Sequence, residues 1–318
     1  MDKCAELLPD YFSFVKGLVD SEDLSLNISR ETLQHDGQLK LIAKTLEKKI
    51  KSELEKMLRD EREAYEEFFK AFGIQLKFGI YNDYGAHKET LRDLLIFRSS
   101  NEKKYVTLKE YISRMKEGQD SIYYACGETD EKIDMLPQTD AVRDKGYEIL
   151  YLTENVDEFA LKMLAEYDGK KFVNICDNDL NLDSEDEKKA LEEENTAAKD
   201  MFEAMKESIG DKINAVRFTN KLKDHPVCLT SEGGISLEME KVLNSMPGAE
   251  QNKVKAQLVL EINANHPIAE KLKTLYNEDK DTLGKYAKLL YGEACLIGGK
   301  SVPDPAEHSA LVCELMTK

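Results

Sequence analysis

Arg30 and Gln34 lie four residues apart in SRETLQ, so on a helix they project from one face. Ser29 stands just ahead, placed to cap the backbone N–H groups that follow. A guanidinium and a carboxamide side by side at a helix N-terminus form a donor-rich surface suited to phosphate oxygens. The same spacing also fits an ordinary surface arginine on a first turn, which is the reading the spacing alone favours. Metal and disulfide chemistry have less to stand on. Cys4, Cys126, Cys176, Cys228, Cys295 and Cys313 lie far apart without a CxxC pair. His35, His87, His225, His266 and His308 show neither HxxxH nor HExxH spacing. Reduced, buried thiols of a cytosolic protein are the expectation.

The elements that must hold this chemistry follow from periodicity. A polar loop over 20–27 leads into the helix start. Then Leu39, Ile42, Ala43, Leu46, Ile50, Leu54 and Met57 recur at three- and four-residue steps, predicting a long helix with Asp36 as its cap. Tyr65, Phe68, Phe69 and Phe72 predict a second, ended at Gly73 in the left-handed conformation open to glycine. A third covers about 88–95. Together they make a helical connector with charged faces turned to solvent.

From about residue 103 the pattern alternates. Residues 121–126, 147–152 and 171–175 read as strands, with helices near 136–145 and 156–167 between them. That order predicts a small parallel α/β sandwich with right-handed crossovers. Thr107 with Glu110 forms a capping box. The turn after the first strand, CGETDEK, has neither GxGxxG nor GxxxxGK[ST], which favours a structural use of this sheet over nucleotide binding. The acidic stretch 177–195 marks a boundary, and Ser184 with Glu187 opens a helix through a second capping box. Beyond it, strands near 215–222, 227–230 and 257–262 alternate with helices in a mixed α+β unit. Its helical tail carries one stripe of Leu283, Tyr286, Leu289, Leu290, Ala294 and Leu296 and another of Ala310, Leu311, Val312, Leu315 and Met316. The expected fold class is α/β, in three parts: 1–101, 102–183 and 184–318.

Charge and composition narrow the function. A net charge of -17 repels phosphate backbones and argues against a nucleic-acid partner. With 34% charged and 41% hydrophobic residues, the chain reads as a soluble globular protein. No apolar run approaches the ~20 residues that span a bilayer, so no membrane partner is expected.

The run LLPDYFSFVKGLVDSEDLSLNISRETLQ resembles the catalytic loop in the middle domain of the 90-kDa heat-shock chaperones, of the bacterial type. The likeness continues through FFKAFGIQLKFGIYNDYGAHKETLRDLLIFRSS, YVTLKEYISRMKEGQDSIYYACGE, KGYEILYLTENVDEFALKMLAEYDGKKF and ANHPIAEKL, along nearly the whole chain. It implies an ATP-dependent chaperone of the bacterial cytoplasm that binds unfolded or partly folded client proteins. It further implies that this chain starts inside the family's middle domain. ATP and Mg2+ would then be held mainly by a domain outside this sequence, with no cofactor expected in this chain and no ATP hydrolysis by it alone.

The resemblance also assigns residues. Arg30 is implied to stabilise charge developing on the γ-phosphate, with Gln34 orienting the same network. The segment 235–246 (Ile235, Met239, Val242, Leu243, Met246) resembles the family's client-binding amphipathic helix, although its periodicity alone favours a core stripe. Glu158 and Phe159 stand where the family has a Glu-Trp client patch, with Phe in place of Trp and Lys162 in place of a neutral amide. Two copies of the tail stripes can bury each other in a homodimer, with Leu289, Leu290, Leu311, Leu315 and Met316 as the seam. The chain ends LMTK without an EEVD tail, so no TPR co-chaperone is expected. The competing class is a non-enzymatic dimerisation scaffold whose first loop is merely structural.

Overall fold

The computed structural model describes residues 7–20, 37–82, 84–177, 180 and 182–317. Arg30, Gln34, Ser29 and the predicted cap Asp36 lie outside the described residues. The chain is a mixed α/β protein, and its contacts divide it into two compact units, 1–115 with 154–172 and 116–153 with 173–318.

The first unit is built on two helices that pack together, Gly37–Asp60 and Arg62–Tyr81. The second does not end at Gly73 as the sequence suggested. An interior glycine costs a helix roughly 1 kcal/mol relative to alanine. Here it makes room for an aromatic ring, since a Cβ at Gly73 would come within 2.7 Å of Phe69. Phe14 adds to this face by packing on Phe68 and Phe72 at 5.0 and 5.1 Å between ring centres. The predicted third helix is one turn, Lys88–Leu91, followed by a 3-10 turn at Arg92–Leu94. An antiparallel pair that the sequence reading missed, Ile96–Ser99 with Tyr105–Thr107, comes next. Thr107 then caps the Leu108–Ser113 helix, its hydroxyl accepting from Glu110 N at 3.0 Å while the Glu110 carboxylate accepts from Thr107 N at 2.7 Å. The predicted box is therefore present, and Arg62 clamps the same carboxylate through both terminal nitrogens at 3.1 and 3.2 Å.

The Asp157–Leu164 helix packs on Arg62–Tyr81. It ends earlier than expected, because Ala165 turns to a φ of 64° and a short strand pair follows, Glu166–Tyr167 with Lys170–Asn174. Between the two helices sits Lys77, only 4% exposed, with its ammonium 2.6 Å from Asp157 Oδ1 and 2.9 Å from Glu154 Oε2. The rings of Phe69 and Phe97 lie about it at 5.2 and 5.4 Å. Burial alone would push this ammonium down, but Asp157 and then Glu154 outweigh it and hold it above the ordinary lysine value.

In the second unit, strands Ser121–Cys126 and Ile149–Leu152 are parallel, with Tyr123 opposite Ile149 and Cys126 opposite Leu152. The crossover uses two short helices, Asp130–Asp134 and Thr139–Asp144, rather than one helix over 136–145. Tyr123, Ala125, Ile133, Val142, Ile149, Tyr151, Ile175 and Leu180 close the core between them. The predicted box at Ser184 opens the Glu185–Ala197 helix.

A second sheet has Gln257–Asn263 at its centre, parallel to Ala215–Thr219 and antiparallel to Val227–Glu232. The side-chain period of two sorts it by face. Val216, Phe218, Leu229, Leu258, Leu260 and Ile262 join the core built with helices Lys199–Ile209 and Lys280–Ile297. On the opposite face Glu261, 1% exposed, is held by Arg217 Nη2 at 2.8 Å and Lys221 Nζ at 3.3 Å. Burial and then Glu261 push the neighbouring Cys228 thiol up, so it is an inert packing residue.

Lys77→Ala would leave Asp157 buried without its cation, and should destabilise the first unit by about 3–5 kcal/mol in chemical denaturation. A Lys77→Met, Asp157→Leu double replacement should recover most of that loss, because neither charge is then stranded.

Candidate functional site

The segment 235–246 folds as a helix at Leu237–Ser245, started by Ser236, whose hydroxyl accepts from Met239 N at 3.1 Å. Three residues at helical spacing, Leu237, Glu240 and Asn244, tie it to the body of the unit. Leu237 packs against the core, as does Ile235 just before the helix. Glu240 accepts from Ala256 N at 2.7 Å and pairs with Lys300 at 3.4 Å. Asn244 makes two bonds to the backbone of Val254, accepting at 2.9 Å and donating at 2.8 Å. The helix is thus anchored largely through polar groups.

Met239, Val242, Leu243 and Met246 form a different stripe. None of them is buried, and Met246 is 44% exposed. Beside this stripe Lys241 pairs with Glu128 at 3.0 Å. Hydrogen bonds from Lys132 and then Lys241 hold the exposed Glu128 carboxyl down at about 2. An ordinary amphipathic helix buries its apolar stripe and leaves its polar one in water. Here the polar side chains Glu240 and Asn244 are bonded to the body, while Met239, Val242 and Leu243 are half-buried outside the core cluster and Met246 is exposed. Of the five residues singled out by sequence, Ile235 turns out to be an anchor, whereas Met239, Val242, Leu243 and Met246 lie outside the core cluster.

Glu158 and Phe159 occupy the first turn of Asp157–Leu164, 4% and 7% exposed, with the Phe159 ring edge-on to Tyr81 at 5.3 Å. They lie inside the first unit and present no open patch. The tail stripes divide as well. Leu290 belongs to the core of the second unit, and Leu311 on Pro305–Met316 is buried within the same chain. Lys288–Glu307 at 2.7 Å and His308–Glu293 at 3.1 Å fasten Pro305–Met316 to Lys280–Ile297. His308 lies against Gly292, where no Cβ would fit. Leu289 and Leu315 are half-buried, and Met316 is 81% exposed. The expected seam is therefore not one surface: Leu290 and Leu311 are buried, Leu289 and Leu315 half-buried, and Met316 exposed.

Sequence reasoning missed the tethers of Glu240 and Asn244. It also missed Lys77, although that residue falls one step from Leu76 on the face holding Phe69 and Ile80, a lysine where periodicity expects hydrocarbon. Among the described residues no cluster of His, Cys, Asp and Glu could hold a metal ion, and no helix is long and apolar enough to cross a membrane.

Fold and site define a mixed α/β protein carrying an anchored helix with a partly exposed apolar stripe. A family model described as Hsp90 protein matches residues 1–318, and the chain belongs to the Hsp90 family. It is 56% identical over 316 residues to the chaperone protein HtpG of Bacillus subtilis (strain 168), covering 99% of this chain and 50% of that protein. The HtpG proteins of Clostridium perfringens (strain ATCC 13124) and Oceanobacillus iheyensis match at 56% identity over the same shares. The chain spans about half the length of the curated relatives it matches.

Proposed function

We propose that this chain is the middle-to-C-terminal part of an ATP-dependent chaperone of the bacterial cytoplasm, divided as 1–101, 102–183 and 184–318, which binds unfolded or partly folded proteins. The observation that carries the reading is the stripe of half-buried Met239, Val242 and Leu243, with exposed Met246 just beyond, on a helix held by Glu240 and Asn244. Methionine and leucine on a firmly anchored helix can meet many apolar sequences without one fixed shape, because the thioether side chain adapts to what it touches. Membership of the Hsp90 family and the chaperone names of its relatives support the same role. Glu158 and Phe159, being buried, are left out of the proposed client surface.

In this reading ATP and Mg2+ bind mainly to the part of the protein outside this chain, and Arg30 with Gln34 reach the γ-phosphate from here. Two copies associate through their tails, using the exposed Met316 and the half-buried Leu289 and Leu315, with no nucleic acid or membrane among the partners.

Met239→Asp and Leu243→Asp should each weaken capture of an unfolded model protein by about tenfold, because a carboxylate on that face must be desolvated on contact. The melting temperature should barely move; a large fall would mean the stripe is core and not a binding face. In the full-length protein, Arg30→Ala should lower ATP turnover by about one to three orders of magnitude with nucleotide affinity unchanged, as for a transition-state contact. Light scattering should give about twice the chain mass at micromolar concentration. Leu315→Asp with Met316→Asp should return a folded monomer, and an unchanged dimer would move the contact elsewhere.

A further inference from the structure

The charge of the chain is unevenly shared between its two units. The second unit holds 36 Asp and Glu against 22 Lys and Arg, a net of -14 out of the chain's -17. The first, with 26 against 23, carries the remaining -3. Much of the excess stands in water. The Glu185–Ala197 helix has no buried residue, and Asp186, Glu192 and Glu193 are exposed along it. On Lys199–Ile209 the exposed Asp200, Glu203 and Glu207 recur at helical spacing, opposite the face that Met205 and Ile209 bury.

The helix with the apolar stripe belongs to this same unit, yet its own surroundings are balanced. Lys241, the one cation on Leu237–Ser245, is committed to Glu128 at 3.0 Å and to Glu238 at 3.8 Å. Glu128 also takes Lys132, and Glu240 takes Lys300 at 3.4 Å. In the loop beyond, the exposed Glu250 and Lys253 offset each other. Apolar contact and long-range attraction are therefore supplied by different residues. A field of one sign draws in a chain of the opposite sign and turns away one of its own, acting mainly on the rate of encounter. The cations of such a chain can stay hydrated while its apolar side chains meet the stripe, so no charge has to be buried.

We propose that the stripe of Met239, Val242, Leu243 and Met246 takes unfolded protein segments of net positive charge, in which apolar side chains stand among Lys and Arg. Acidic segments of equal hydrophobicity are disfavoured. The inference rests on the client reading given above and narrows it to a class of client.

The test uses the whole chain and one unfolded protein in two charge states. Reduced, carboxamidomethylated lysozyme is basic; succinylating its lysines reverses its charge and leaves its apolar side chains in place. At low salt the basic form should bind about tenfold more tightly, chiefly through faster association. In about 1 M salt, where the screening length falls to ~3 Å, the two forms should agree within about twofold. Leu243→Ser removes apolar contact without adding charge, and should weaken both forms by a similar factor. If it weakens neither, the stripe is not a client surface, and the client reading fails together with the charge preference. If it weakens both while the two forms bind alike at low salt, the charge preference alone is overturned. A preference that survives high salt undiminished would also overturn it, since the discrimination would then not be electrostatic.

Discussion

Lys77 puts an ammonium between the rings of Phe69 and Phe97, where a lone cation would cost several kcal/mol. The solution is to bring a carboxylate to it. Asp157 does so from the first turn of a helix far along the chain, and Glu154 supports it from the rim. That requirement fixes how Asp157–Leu164 lies on Arg62–Tyr81, because an ion pair tolerates far less slippage than an apolar contact does. The same helix carries Gly73 and Gly79, which admit Phe69 and Tyr11, so one surface receives the ion pair and two aromatic rings. The order of the first unit follows from these fits.

The second unit meets a related demand differently. Its central strand sends Leu258, Leu260 and Ile262 to one face and a buried carboxylate, Glu261, to the other, where Arg217 and Lys221 neutralise it. With the core filled by helices on the first face, Leu237–Ser245 is attached mainly by Glu240 and Asn244. Polar anchoring of this kind is directional and leaves the helix in a defined orientation. It also spares the methionine stripe from being consumed in the core.

Local signals were readable where they are local. Thr107–Glu110 and Ser184–Glu187 lie three residues apart and need no knowledge of the rest of the chain, and both caps are formed. The parallel pair 121–126 and 149–152 follows from two apolar runs joined by a helical crossover. Gly73 misled because a glycine after an aromatic run reads as a stop, whereas its partner Phe69 decides the matter. The strand at 96–99 was hidden in the continuous apolar run of Leu94, Leu95, Ile96 and Phe97, which has no period of its own. The stripe of 239–246 was legible, but which side of the helix is free depends on residues 254–256 and 300. For Glu158 and Phe159 burial depends on Tyr81 and its helix, a partner no spacing announces.

The two units are not consecutive lengths of chain. The backbone leaves the first unit after residue 115, returns to it at 154, and leaves it again after 172. During synthesis the first unit therefore emerges incomplete. Lys77 is made early, yet Asp157 arrives only after the strands of 116–153 have been added. Until then a charged side chain stands in an apolar surface with no counter-ion, and that surface cannot close without burying it unpaired. Completion of the first unit thus waits until 154–172 have been made, and a ribosome stalled before residue 157 would hold a helix pair whose central lysine still needs water.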